Sequence, residues 1–477
     1  MTMTKGVRMN DFLRLAGLCS TLLLAGCASF TKDGGFTAIE QASQQQLDKQ
    51  VTWVKTPEQR SQVAERVAEL LAEPLTADAA VQIALLNNPG LQASFDELGI
   101  SEAERVQAGR LPNPGFSFGR LEKGSEVEYE RGLHIDLARL IAMPLTSGIE
   151  AKRFEQVQRQ TSLAVFELAT QTRKAWYRAV AAQESLGFMR QVMDSAEVGA
   201  ELARRLAAVG NYSKLQQAQE QSFYADAGLN LIRAEQVRLQ TREQLTRLLG
   251  LWGEQIDFRL PERLPELPAA AEQLPDVERL AMGQRLDIQA MRLDAERLAR
   301  NLGLSKTTRF INVLELGLVN NRSNEEPTQR GYEISVELPL FDWSGAKVAK
   351  AEAQYRQMLN RAAETAINAR SQVREAYLGY RSAHDIARHY RDEVLPLRQR
   401  IAEENILQYN GMFISTFELL ADARKQILAV DGYLQAQRDF WTAKADLDMA
   451  MLGAPSMPAM AASAAPGAGS DDAAGGH

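Results

Sequence analysis

In Gly331-Tyr332-Glu333-Ile334-Ser335-Val336-Glu337-Leu338-Pro339 the apolar Tyr332, Ile334, Val336 and Leu338 alternate with the polar Glu333, Ser335 and Glu337. A period of two is a β-strand whose faces meet two different surroundings. The apolar run at residues 311 to 319 and a turn-like segment at residues 320 to 331 precede it, so the stretch reads as the return arm of a hairpin. A second hairpin reads at residues 115 to 121, returning through Leu133, Ile135 and Leu137 in alternation with His134 and Asp136. Pro144 and Pro339 are expected to end the two return strands, since proline has no N–H for the ladder.

Working outward, the hairpins occupy matching places in an internal duplication. Leu91-Gln92-Ala93 recurs as Ile288-Gln289-Ala290 and Ser147-Gly148 as Ser344-Gly345, both 197 positions on (91 to 288, 147 to 344). Arg159-Gln160 and Arg356-Gln357 keep that offset. Ala175-Trp176 matches Ala376-Tyr377 and Gly210 matches Gly411, now 201 positions apart (175 to 376, 210 to 411). The copies end alike, in Leu248-Leu249-Gly250 and Met451-Leu452-Gly453. Each copy reads as helix, hairpin and two very long helices. Proline is absent between Pro144 and Pro261, so residues 149 to 208 predict a helix of about 90 Å at ~1.5 Å per residue. The return helices carry 3-4 spaced seams at Leu420, Ala423, Ile427, Val430, Leu434 and Trp441, and at Ala218, Ala225, Leu229, Ile232 and Leu239.

The N-terminus has a targeting pattern. Lys5, Arg8 and Arg14 precede the short apolar run Leu15 to Leu24, and Leu24-Ala25-Gly26-Cys27 resembles a bacterial lipobox. Residues 1–26 then read as a lipoprotein signal peptide and Cys27 as the acylated, palmitate-bearing N-terminus. Ala28 and Ser29, in place of an aspartate, point to the outer membrane. Cys19, the other cysteine, falls within the signal, which leaves no disulfide or thiolate site. Residues 27–74 read as an anchored extended segment and a short amphipathic helix bearing Val63, Val67, Leu70 and Leu71, closed by Pro74. The two copies span 75–250 and 274–453, with a linker at 251–273 and a low-complexity, disordered tail at 454–477.

Composition removes other classes. A net charge of −7, from 54 basic and 61 acidic residues, provides no cationic stripe for phosphate backbones, so nucleic acid is not an expected partner. Of only four histidines, His384 and His389 are five apart and do not share a helix face as metal ligands would; both are expected at the surface. No nucleophile elbow, phosphate loop or zinc spacing occurs, which argues against an enzyme. Trp176, Tyr177 and Tyr377 are read as seam aromatics. Past Cys27 no run of about 18 apolar residues could cross a bilayer as a helix, so any span must be a closed barrel. Two hairpins supply four strands, whereas the smallest membrane barrels need about eight. Closure requires more than one chain.

These motifs together resemble the TolC outer-membrane factors, the exit ducts of tripartite efflux pumps and type I secretion systems. The resemblance covers residues 75 to 453. Its carriers are Leu75-Thr76 through Ala84-Leu85 to Asn88-Pro89, Pro112-Asn113-Pro114, Pro339-Leu340-Phe341-Asp342-Trp343-Ser344-Gly345, and Tyr409-Asn410-Gly411 through Glu418-Leu419-Leu420-Ala421. It implies a mostly α, α+β fold: a long α-helical coiled-coil barrel across the periplasm, and a membrane β-barrel closed by trimerisation. It further implies a homotrimer with no cofactor, working with a periplasmic adaptor protein, outer-membrane lipid and an inner-membrane pump, of resistance-nodulation-division type given the lipobox.

The turns Val209-Gly210-Asn211 and Asn410-Gly411-Met412 would be the periplasmic tips where the adaptor docks, glycine accepting the positive φ of a tight reversal. Glu418 is the nearest match to the acidic gate of some members, while Ala421 and Gln216 depart from that pattern. Small molecules, metal ions, which Pro112-Asn113-Pro114 suggests, and secreted protein remain open as cargo. A lipid-anchored periplasmic coiled-coil structural protein is the alternative of another class.

Overall fold

The computed structural model describes residues 29–308, 313–337, 341 and 343–454; Cys27, the signal segment, Pro339 and the tail from residue 455 lie outside them. Two short helices, α1 (Thr37–Leu47) and α2 (Pro57–Leu71), precede α3 (Ala77–Asn87) and α4 (Pro89–Ala108). The hairpin β1 (Gly115–Lys123) and β2 (Glu126–Asp136) leads into α5 (Leu137–Ala208), and α6 (Lys214–Leu249) returns. The order then repeats as α7 (Val277–Gln284), α8 (Leu286–Thr307), β3 (Leu314–Ser323), β4 (Gln329–Val336), α9 (Gly345–His389), α10 (Leu395–Asn410) and α11 (Thr416–Leu452).

Several boundaries differ from the sequence-based expectation. The stretch before residue 55 is not wholly extended: α1 forms there because Phe36 and Ile39 are buried against Trp53 and Phe95. Its first turn is pinned by Asp33, which accepts the Thr37 N–H at 2.8 Å; that bond holds the Asp33 carboxyl far below the usual carboxylate range. Pro144 does not end β2. The strand pairs with β3 as far as Asp136, whose carboxylate caps α5 by accepting the Arg139 N–H at 2.8 Å, so strand passes into helix without a loop. Pro144 lies inside α5, which has 72 residues and is about 108 Å long at ~1.5 Å per residue. The second hairpin turn is also tighter than expected, since Asn320 to Ser323 and Gln329 to Gly331 belong to the strands.

Cross-links between distant segments build both repeats in the same way. Asn88 caps α4 by accepting the Leu91 N–H, and its Nδ2 donates to the Leu248 carbonyl at the end of α6, 2.9 Å away. In the second repeat Arg285, buried before α8, donates to the Ala450 carbonyl at 3.0 Å. Trp176 Nε1 donates to the Leu75 carbonyl at 2.7 Å, and the Tyr377 hydroxyl accepts from the Leu274 N–H at 3.3 Å. Trp176 and Tyr377, expected in seams, thus tie the long helices to the segments just before α3 and α7, while Tyr177 does lie in a seam, stacked on Trp441 of α11 with ring centres 5.4 Å apart. His384, expected at the surface, is buried against Phe440 and meets the Pro268 carbonyl at 3.1 Å, while His389 is exposed beside Glu393.

The second outbound helix contains one irregularity. Tyr390–Val394 forms a π turn just before Pro396, whose missing N–H would interrupt an α ladder in any case. A π turn holds one residue more than an α turn. The two return helices are accordingly capped by Ser213 and Ser415, 202 positions apart (213 to 415), whereas the nearest match upstream of the π turn, Ala175-Trp176 with Ala376-Tyr377, is 201 apart (175 to 376).

Candidate functional site

The four strands form one antiparallel sheet in the order β1-β2-β3-β4. Residues paired across the ladder share a face. One face carries Phe116, Leu133, Leu318 and Tyr332 in a single row, with Ile135, Leu316 and Ile334 in the next row toward the helices. These side chains are mostly exposed in the single chain. On the other face lie Glu126, Glu128, Glu130, Asp136, Glu315 and Glu333, with Lys123 and His134. All five strand glycines, Gly115, Gly119, Gly132, Gly317 and Gly331, are on this polar face, where absent side chains leave room for concave curvature.

Neither lateral edge of the protomer is finished. β1 and β4 each have one unpaired side. In the helical part α5 packs on α6 and α11, and α11 packs on α9, which leaves α6 and α9 as the outer helices. Leu229, Ile232, Val237 and Leu239 on α6, and Leu359, Ile367, Leu378 and Ile386 on α9, are exposed. The α6 stripe read as a seam therefore faces away from its own chain, while the α11 seam closes internally on buried Leu434 and half-buried Ile427 and Trp441. No helix among the described residues is long and apolar enough to cross a membrane.

At the far end of the bundle both turns between long helices are short. Gly210 has φ +81°, and the Asn211 N–H closes back on the Leu206 carbonyl at 2.9 Å. The second tip departs from the glycine argument: Gly411 has φ −79° and the left-handed residue is Met412, at φ +62°. At Gly411 a Cβ would meet the exposed Phe413 ring at 2.7 Å, so a side chain there requires that ring to turn aside. The extra residue of the π turn has moved the reversal one position past the glycine. Met412→Gly should stabilise this tip by about 1 kcal/mol, seen as a higher midpoint of thermal unfolding; an unchanged or lower midpoint would show that the turn is unstrained.

No protein-family model matches the chain. The cobalt-zinc-cadmium resistance protein CzcC of Cupriavidus metallidurans is 25% identical over 282 residues, 57% of this chain and 64% of that protein, so the match spans a little under two thirds of the relative. The structure of CusC superposes with a TM-score of 0.66 at 16% identity, covering 79% of this chain and 92% of that one. A membrane protein from Pseudomonas aeruginosa gives 0.68 at 17% over the same shares, and the CmeC outer membrane channel of Campylobacter jejuni gives 0.67 at 14%, covering 86% and 91%. The chain has the fold of a TolC-family outer-membrane channel.

Within this TolC-type fold the tip residues are presented outward. Val209 is exposed, Met412 is 92% exposed and Phe413 83%. A groove of about 820 Å³ between α5 and α6 lies just above the first tip, lined by Val198, Leu202, Gln221 and Tyr224. Beside it Arg204 and Arg205 hold the Glu201 carboxyl down to about 2. Glu418, matched to an acidic gate, is engaged locally: its carboxylate accepts the Ser415 N–H at 2.8 Å, which holds it below the ordinary range, and the Ser415 hydroxyl at 3.1 Å. Gln216 makes the equivalent box with Ser213.

The stronger polar contact near the tips pairs residues that sequence reading did not single out. Glu220 on α6, with a side chain only 2% exposed, meets Arg424 Nη2 of α11 at 2.5 Å. The same guanidinium lies 4.6 Å from the Phe223 ring centre. Burial, with Glu220 close by, pushes the Tyr212 hydroxyl above its usual range. This pair joins the return helices of the two repeats, α6 and α11. Among the described residues no group of His, Cys, Asp or Glu is arranged to hold a metal ion.

Proposed function

We propose that the chain is the outer-membrane duct of a tripartite efflux system: a non-enzymatic homotrimer, lipid-anchored at Cys27, that spans the outer membrane and extends into the periplasm. The observation that carries this reading is the pair of unfinished edges. A four-stranded sheet with apolar and acidic faces cannot close on itself, and among the described residues no layer covers either face. Joining β4 to β1 of the next copy, and α9 to α6 of the next copy, closes sheet and helices through one head-to-tail rotation. The apolar face then meets lipid and the acidic face lines the lumen. Three copies give about twelve strands, enough to leave an aqueous path.

The described N-terminus supports the anchor. Thr31 bonds Glu102 through its N–H at 2.7 Å, and the Phe30 ring lies 6.0 Å from the Arg110 guanidinium, five residues before β1. The chain start is thereby held at the sheet end of the bundle, where a lipid on Cys27 would reach the inner leaflet. The exposed tips, Val209-Gly210-Asn211 and Asn410-Gly411-Met412, are the adaptor-docking surfaces, with an inner-membrane pump beyond. Closure is assigned to the Glu220–Arg424 pair, with Glu418 shaping the start of α11.

The relative named for cobalt, zinc and cadmium resistance, together with the luminal carboxylates, favours divalent cations as cargo. Reconstituted into planar bilayers, the full chain should conduct as a trimer and select cations over anions. Glu128→Gln with Glu130→Gln should move the reversal potential toward zero. A monomer without conductance would support the lipid-tethered coiled coil instead.

A further inference from the structure

The apolar face of the sheet changes character near its hairpin end. Above the row containing Phe116, Leu133, Leu318 and Tyr332, the next row holds Phe118, Arg131, Asn320 and Arg330. The row after that holds Arg120, Tyr129 and Arg322. Arg120, Arg131, Arg322 and Arg330 thus form a zigzag of diagonal neighbours on successive strands, roughly 7–8 Å apart at the backbone. All four are exposed. Arg120 is paired with Glu122, the one acid on this face, whereas Arg131, Arg322 and Arg330 form no ion pair with any described residue. Every other strand carboxylate is on the opposite face.

We propose that this arginine band binds the phosphates of a phosphorylated glycolipid in the outer leaflet. The proposal rests on reading the sheet as a membrane wall. Four cations with one counter-ion repel each other unless an anion sits between them, and the planar guanidinium is suited to bidentate phosphate contact. The leaflet follows from topology. The band lies at the hairpin turns, away from the helices, so it faces the exterior side of the membrane. Below it the apolar rows fit acyl chains, and exposed Phe341 and Trp343 lie at the helix end of the sheet, as aromatics do at a membrane interface. A headgroup with two phosphates could span a diagonal arginine pair.

The test uses the full-length oligomer in detergent, with conductance as the check on assembly. Rough-type lipopolysaccharide, the same lipid stripped of phosphate, and phosphatidylglycerol are added separately, and bound lipid is counted by native mass spectrometry. The wild type should retain the phosphorylated glycolipid and release the stripped form. Arg131→Gln, Arg322→Gln and Arg330→Gln combined should weaken retention by about a hundredfold, as expected for three arginines at an anionic surface. The corresponding triple lysine variant should retain part of the binding. Equal retention of the stripped lipid or of phosphatidylglycerol by a conducting wild type overturns the assignment, as does unweakened binding by a conducting glutamine variant. A wild type that never conducts overturns the duct reading itself.

Discussion

Arg424→Ala should raise the resting conductance of the reconstituted channel and lower its thermal stability. Glu220 is buried between α6 and α11, and the substitution leaves its carboxylate facing a void with no cation. Breaking a buried pair by removing one partner costs about 3 kcal/mol, because the remaining charge keeps its desolvation penalty without compensation. Separating the two return helices so that water reaches Glu220 relieves that penalty, which biases a closed-to-open equilibrium by on the order of a hundredfold. Glu220→Gln combined with Arg424→Met removes both charges and should restore closure. Single-channel recording decides the matter: if Arg424→Ala keeps the wild-type resting conductance, the pair is not the closing contact.

Ile232→Asp together with Leu239→Asp should abolish the oligomer while leaving each chain helical. Both side chains are exposed in the isolated chain, so the protomer does not depend on them. At a ring interface each apolar side chain contributes about 2 kcal/mol, and a buried unpaired carboxylate adds a larger penalty. Every interface of a closed ring carries the change, which compounds the effect. Sedimentation in detergent should give monomers with an unchanged circular dichroism spectrum. A surviving oligomer would mean that α6 is not an inter-chain surface.

Much of the wall was legible because it depends on short-range periodicity. Tyr332, Ile334 and Val336 alternate with Glu333 and Ser335, and the register places them on opposite faces as the pattern requires. The long helices were visible from the absence of proline. What sequence could not show depends on distance along the chain or on competition between local rules. Glu220 and Arg424 are 204 residues apart, and neither sits in a motif. Pro144 looked like a terminator, but the ladder to Asp136 and its cap decide where β2 ends. The α6 stripe had the spacing of a seam, yet spacing does not say whether the partner is in the same chain. At the second tip Asn410-Gly411, matched to Gly210 in the first repeat, suggested a glycine reversal, and a single additional residue upstream transfers that role to Met412.

That additional residue at Tyr390–Val394 also bears on symmetry. Because the two repeats end in different knobs, one built on Gly210 and the other on Met412 and Phe413, the proposed trimer would present six projections of two kinds in alternation. Six identical partner subunits meeting that rim would occupy non-equivalent seats, sorting into two sets of three with different contacts and different residence times.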